Sequence, residues 1–162
     1  MKIIGIDPGL HITGYCMLES NGHNARVVEA GIIKTEGINS FDKKLAEIFS
    51  QTGKIIKQFK PDYIAVEELY SHYVHPKTAI IMGHARGMIF LQAAICKAPI
   101  LSYASTRIKK SLTGNGRATK VQVQRMIRST LKLKHDFYSA DTADAVAVAL
   151  CHHNALLGKK AR

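Results

Sequence analysis

Short apolar runs set off by turn signals mark the first third of the chain as strands, and longer runs with helical spacing mark most of the rest. Lys2-Ile3-Ile4-Gly5-Ile6 reads as a buried strand stopped by Asp7-Pro8-Gly9. Strands at about residues 13–18 and 26–34 flank Asn21-Gly22, a strong hairpin signal. Ser40 is placed to cap a helix whose apolar residues Phe41, Leu45, Ile48, Phe49, Ile56 and Phe59 keep one face, and Pro61 ends that unit. Tyr63-Ile64-Ala65-Val66 follows as a fourth strand ending at Glu67-Glu68. After a polar and aromatic loop over residues 70–75, Pro76 opens a long helix to about Lys97, and residues 100–103 make a fifth strand. The remainder reads as a short turn near residues 107–112, a loop at Thr113-Gly114-Asn115-Gly116, a helix over 120–133 and a last helix over about 139–157.

This order predicts an α/β domain with a five-stranded mixed sheet, strand order 3-2-1-4-5, and helices on both faces. The hairpin puts strand 2 on one side of strand 1, and a crossover through the first helix brings strand 4 back parallel on the other side. Strand order therefore reverses between strands 1 and 4, and ligands in such sheets bind beyond the carboxyl ends at that point. Asp7 and Glu67 stand at those two ends. Neighbouring strands lie ~4.8 Å apart, so the two carboxylates are expected to meet.

The 162 residues suit one domain spanning 1–162, its last few residues a basic tail. Charge changes the picture most: 23 Lys and Arg against 12 Asp and Glu leave a net +11, which attracts polyanions, nucleic acid first and an anionic membrane second. Between Leu69 and His135 there is no acid, but there are 12 basic residues, among them Arg86, Lys109, Arg117, Lys120, Arg125 and Arg128. With no carboxylates to pair with, that run reads as a phosphate-facing surface. On the helix from Lys120, Arg125, Arg128 and Lys132 line one side, and Val123, Met126, Ile127 and Leu131 the other.

Cys16, Cys96 and Cys151 are odd in number and widely spaced, which argues against a disulfide framework or zinc site and fits a reducing, cytoplasmic setting. No signal peptide is read at the N-terminus. The most apolar stretch, residues 88–96, falls short of the ~20 residues of a membrane span, so no membrane partner is expected.

Two further acids complete the chemistry. Asp141 and Asp144 are three apart in the first turns of an Ala/Val-rich helix, hence on one face. Four carboxylates at one sheet edge repel unless compensated, and a hard divalent cation such as Mg²⁺ compensates them. Each has a duller reading alone: Asp7 as turn initiator, Glu67 as solvated strand end, Asp141 as cap. Asp144, inside the helix, is harder to explain that way, and the convergence of the four makes the joint case.

Gly5-Ile6-Asp7-Pro8-Gly9 with Thr13-Gly14-Tyr15, Ala65-Val66-Glu67, Gly83-His84-Ala85-Arg86-Gly87, Ala140-Asp141 and Ala143-Asp144-Ala145 together resemble the RuvC family of Holliday-junction resolvases over about residues 2–152. The resemblance implies a ribonuclease-H-like fold and a homodimeric endonuclease that nicks two strands of like polarity at a four-way DNA junction with Mg²⁺ or Mn²⁺. It implies catalytic and metal-binding roles for Asp7, Glu67, Asp141 and Asp144, and the needs of phosphodiester hydrolysis point to two ions per site. It places Tyr70 near the junction centre, where the family commonly has phenylalanine, and Lys109 and Lys120 near the scissile phosphate. Association with a branch-migration complex is implied by the resemblance alone. Two-metal chemistry would set Asp7 between the ions, Glu67 on one and the Asp141/Asp144 pair on the other. The alternatives are a ribonuclease-H-like nuclease on another substrate and a non-catalytic nucleic-acid module. An actin-type ATPase would need a second domain for which this chain has no room. Glu68 and the eight histidines receive no role, and none of the histidines is read as a metal ligand.

Overall fold

The computed structural model describes residues 1–69, 76–133 and 139–160. Its elements run β1 (Lys2–Asp7), β2 (Ile12–Asn21), β3 (Asn24–Lys34), α1 (Phe41–Phe59), β4 (Tyr63–Glu67), α2 (Pro76–Ile95), β5 (Ile100–Tyr103), α3 (Ser105–Thr113), α4 (Lys120–Leu131) and α5 (Ala140–Lys160). The sheet order is β3-β2-β1-β4-β5, as the connection rules require. β1 pairs antiparallel with β2 and parallel with β4, and β5 adds parallel to β4.

Strand alternation divides the core in two. Ile4, Ile6, Met17, Ile64 and Val66 face α1 and α2, meeting Ile48, Ile56, Ala85 and Ile89. Ile3, Cys16, Leu18, Ala65 and Tyr103 face the other way, toward α3, α4 and α5, meeting Ile108, Val123 and the run from Ala145 to Cys151. Both faces are thus covered by helices.

Several local details depart from the sequence expectation. The hairpin turn is Gly22-His23, with Asn21 paired to Asn24 and Gly22 in the left-handed region at φ 59°, so the strands run further than the Asn-Gly signal implied. Ser40 occupies the N-cap of α1 but makes no capping bond to the backbone; its hydroxyl turns to the Asp42 carboxylate. The turn near residues 107–112 is a helix that begins two residues earlier, at Ser105. α4 does start at Lys120, held by a reciprocal cap between Thr119 and Gln122, but Met126 is exposed, leaving Val123 and Ile127 as its buried anchors. α5 continues to Lys160, so Lys159 and Lys160 extend the helix where a tail was expected.

α2 spans the long helix expected from Pro76. Its Lys77–Ile95 stretch, wider than the apolar run at residues 88–96, is long and apolar enough to cross a membrane by length and composition. One side packs on the sheet through Ala85, Ile89 and Ala93, while Ile80, Leu91 and Ile95 on the rest of its surface are 62%, 49% and 58% exposed.

Candidate active site

β1 and β4 run side by side with Gly5 opposite Ala65 and Ile6 opposite Val66, so Asp7 and Glu67 come next in step at the carboxyl ends. Alternation puts Gly5 and Asp7 on one face, and Ala65 and Glu67 on the same face, the one covered by α5. Ser139 caps α5 by accepting the Thr142 N–H at 3.1 Å, which fixes the first turn carrying Asp141 and sets Asp144 one turn on.

Two glycines let that helix come close enough. A Cβ on Gly5 would lie 2.2 Å from the Ala145 carbonyl oxygen and 2.6 Å from the Ala149 nitrogen, and one on Gly14 would lie 2.1 Å from the Asp141 carbonyl oxygen. Gly14 is the β2 partner of Asp7. Bare backbone on two adjacent strands is therefore what seats the α5 acids beside Asp7.

The electrostatics follow from this crowding. Burial, then the neighbouring Glu67, Asp144 and Asp141 carboxylates, push the Asp7 carboxyl up to about 7, against a smaller opposing pull from Lys120. Burial also raises Glu67, while a hydrogen bond from the Ser105 hydroxyl and the Lys120 and Lys109 ammonium groups work the other way. The Lys120 ammonium sits 2.9 Å from Asp144 Oδ2, and this bond raises the lysine.

Asp7, Glu67, Glu68, Asp144, Lys109 and Lys120 line a cleft of about 690 Å³, with Leu69, Met82, Ile108 and Val123 among its apolar walls. The donor set suits a hard divalent cation: oxygen ligands carrying excess negative charge, one of them pushed up to about 7 by burial and then by its neighbours. Among the described residues no three carboxylate, imidazole or thiolate side chains already close on one point, and Asp144 is turned to Lys120.

The other residues singled out in the sequence divide. Lys109 and Lys120 reach the cleft. Arg117, Arg125 and Arg128 are exposed on and just before α4, and the Arg117 N–H donates to Asn115 Oδ1 in a tight turn that follows the left-handed Gly114. Arg86 is directed inward: its guanidinium donates to Ser102 Oγ at 2.5 Å and lies 4.3 Å over the Phe90 ring, which ties α2 to β5 and leaves it away from the cleft. Tyr70 lies outside the described residues. His152 and His153 are buried, bonding Tyr103 Oη at 2.6 Å and Ser20 Oγ at 2.8 Å, so both help seat α5 on the sheet.

Ser105 is a site residue that sequence reading missed. Its signal was faint: a serine two residues past a strand end, recognisable only once α3 is known to begin there. Gly5 was legible in principle, because a glycine two residues before an acid on a strand shares its face.

Comparison with known proteins places the whole chain. The family model for crossover junction endodeoxyribonuclease RuvC matches residues 3–152. The crossover junction endodeoxyribonuclease RuvC of Rhodopirellula baltica is 44% identical over 151 residues, covering 93% of this chain and 85% of that protein. The RuvC structure from Thermus thermophilus aligns with a TM-score of 0.88 at 30% identity, covering 98% of this chain and 97% of that one. The T. thermophilus RuvC in complex with Holliday junction substrate aligns with a TM-score of 0.92 at 28% identity, covering 98% and 96%. A match running through the strand ends and the helix that bring Asp7, Glu67, Asp141 and Asp144 together means that this chain belongs to the RuvC family of crossover junction endodeoxyribonucleases.

Proposed function

We propose that this chain resolves four-way DNA junctions by paired, symmetric, metal-dependent phosphodiester hydrolysis. The observation that carries the reading is the convergence of acids from three separate segments: Asp7, Glu67 and Asp144 line one cleft, and the Asp7 carboxyl is raised to about 7 by burial and by the Glu67, Asp144 and Asp141 charges. Asp7, Glu67, Asp141 and Asp144 would hold Mg²⁺, with Mn²⁺ as a substitute and two ions per site. When bound, such a pair supplies an activated water and relief of charge at the phosphorus and the leaving oxygen.

The chain's own groups do the rest. Ser105 orients Glu67 through its hydrogen bond. Lys109 and Lys120 stabilise the negative charge that builds on the phosphate in the transition state. Arg117, Arg125 and Arg128 extend the positive surface from the cleft along α4, where they would hold flanking phosphates.

A junction has two strands to cut, so two sites are needed. The exposed Ile80, Leu91 and Ile95 of α2 support pairing with a second copy of the chain across a two-fold axis. Association with a branch-migration complex, and a cytoplasmic location, are proposed on family membership.

The test is cleavage of a synthetic four-way junction beside matched linear duplex, RNA–DNA hybrid and flap, in Mg²⁺ and in chelator. Symmetric nicks on the junction alone, abolished by chelator, are expected. Equal cutting of hybrid or flap assigns another substrate, and binding without cutting in any metal assigns a non-catalytic module. Junction binding should also weaken steeply with salt, by about 10³-fold or more between 50 and 200 mM if roughly six phosphates are contacted, as a binding isotherm series would record. A flat dependence would remove the phosphate-facing surface from the account.

A further inference from the structure

We propose that Lys120 is the resident counter-cation of the acidic cluster: its ammonium holds Asp144 until a metal ion takes the carboxylate and frees the lysine for a DNA phosphate, so that metal and DNA load together. This rests on the reading of the four acids as metal ligands and adds to it a competition between two cations for one carboxylate.

The geometry supplies the competitor. Lys120 Nζ lies 2.9 Å from Asp144 Oδ2, and its charge also reaches Asp7, Asp141 and Glu67. The side chains are 70% and 30% exposed respectively, so the lysine enters from solvent while the carboxylate stays with the cluster. Lys120 is the first residue of α4, directly after the Thr119 cap whose bonds with Gln122 fix the backbone there. The four-carbon stem can therefore swing between carboxylate and phosphate without disturbing the helix. In this arrangement no three carboxylate, imidazole or thiolate side chains among the described residues close on one point.

Two consequences follow. Removing the ammonium leaves Asp144 to the metal alone, so affinity for the metal rises although a residue placed at the transition state is lost. The lysine can meet a phosphate only once Asp144 has another cation, so adding metal adds one phosphate contact. A partly exposed ion pair is weak, which sets the scale at several-fold.

The experiment measures Mn²⁺ affinity of the full chain without DNA by isothermal titration calorimetry. Lys120→Met is expected to bind about two- to fivefold more tightly than wild type, and Lys120→Arg, which keeps the charge, to return to about the wild-type value. In parallel, the salt slope of junction binding is compared in chelator and in Ca²⁺. Relative to Lys120→Met, the wild-type slope should steepen by about 0.9 when Ca²⁺ is added, the increment of one phosphate contact. Lys120→Met binding Mn²⁺ no better than wild type, or the two proteins changing slope equally, overturns the proposal. Asp7→Asn separates the two levels. If it leaves Mn²⁺ binding untouched, the acidic cluster is not the metal site and the underlying functional reading falls as well; if it weakens binding while Lys120→Met changes nothing, only the counter-cation role fails.

Discussion

Asp7→Asn should abolish junction cleavage, by about a thousandfold or more, and at the same time make the metal-free protein more stable above neutral pH. The first effect follows from removing the acid surrounded by the other three from a site whose chemistry depends on holding cations, where about 4 kcal/mol of barrier corresponds to that factor. The second follows from the proton balance. The carboxyl ionises at its ordinary 3.8 in the unfolded chain and at about 7 in the fold, because burial and then Glu67, Asp144 and Asp141 oppose its charge. Between those values the folded protein binds more protons than the unfolded one. The stability associated with the protonated group is complete below 3.8 and is lost as pH rises through about 7.

At full development the penalty is up to about 4 kcal/mol, and the asparagine, which cannot ionise, escapes it. Thermal melts in chelator at pH 8 should place Asp7→Asn about 5–10 °C above wild type, with the gap closing as pH falls toward 4. Saturating Mg²⁺ should narrow the gap from the other side by stabilising the wild type, by about 2.7 kcal/mol at 100 times the dissociation constant. A variant that melts at or below the wild-type temperature at pH 8 would mean that the clustered acids impose no such conflict.

Gly5→Ala and Gly14→Ala carry the other large expected effect. Each methyl would be driven into backbone of α5, where no rotamer change can relieve it, at 2.2 Å from the Ala145 oxygen and 2.1 Å from the Asp141 oxygen. Helix and sheet must part, at a cost of about 3 kcal/mol or more in each case and a fall in Tm of roughly 6–12 °C. The two variants should differ in what they do to catalysis. Gly14 lies under the turn that carries Asp141, so its methyl displaces the acids themselves; displacements of about 1 Å at reacting groups cost on the order of a hundredfold. Single-turnover rates at a temperature where both variants remain folded should show Gly14→Ala the more damaged per unit of stability lost. If Gly14→Ala melts and cleaves like wild type, the close approach of α5 is not what assembles the site.

These glycines also show where sequence reading stopped. The five strands, their order and the pairing of Asp7 with Glu67 were accessible because turn signals, a period of two and the handedness of crossovers are local or topological rules. Asp141 and Asp144 were accessible as a pair because helical spacing alone puts them on one face. That they come to Asp7 depends on how deeply α5 sinks onto β1 and β2, which is settled by contact between the bare backbone of Gly5 and Gly14 and the carbonyls of another element. Arg86 shows the same limit with the opposite outcome. In the sequence it is one of 12 cations in an acid-free run, yet its position on α2 beside β5 gives it Ser102 and Phe90 as partners. Ser105 could not be placed against Glu67 until β5 and the start of α3 were in position, since the two residues are distant in the chain.

The sequence by itself determined the fold class, the excess of positive charge and the identity of the acids, because periodicity, turn chemistry and composition act through neighbouring residues. Only the tertiary structure decided that burial and the crowded acids push the Asp7 carboxyl up to about 7, that Lys120 sits among them on Asp144, and that Arg86 turns inward. Those outcomes depend on distances of a few ångströms between segments far apart in the chain, over which electrostatic and steric energies change steeply.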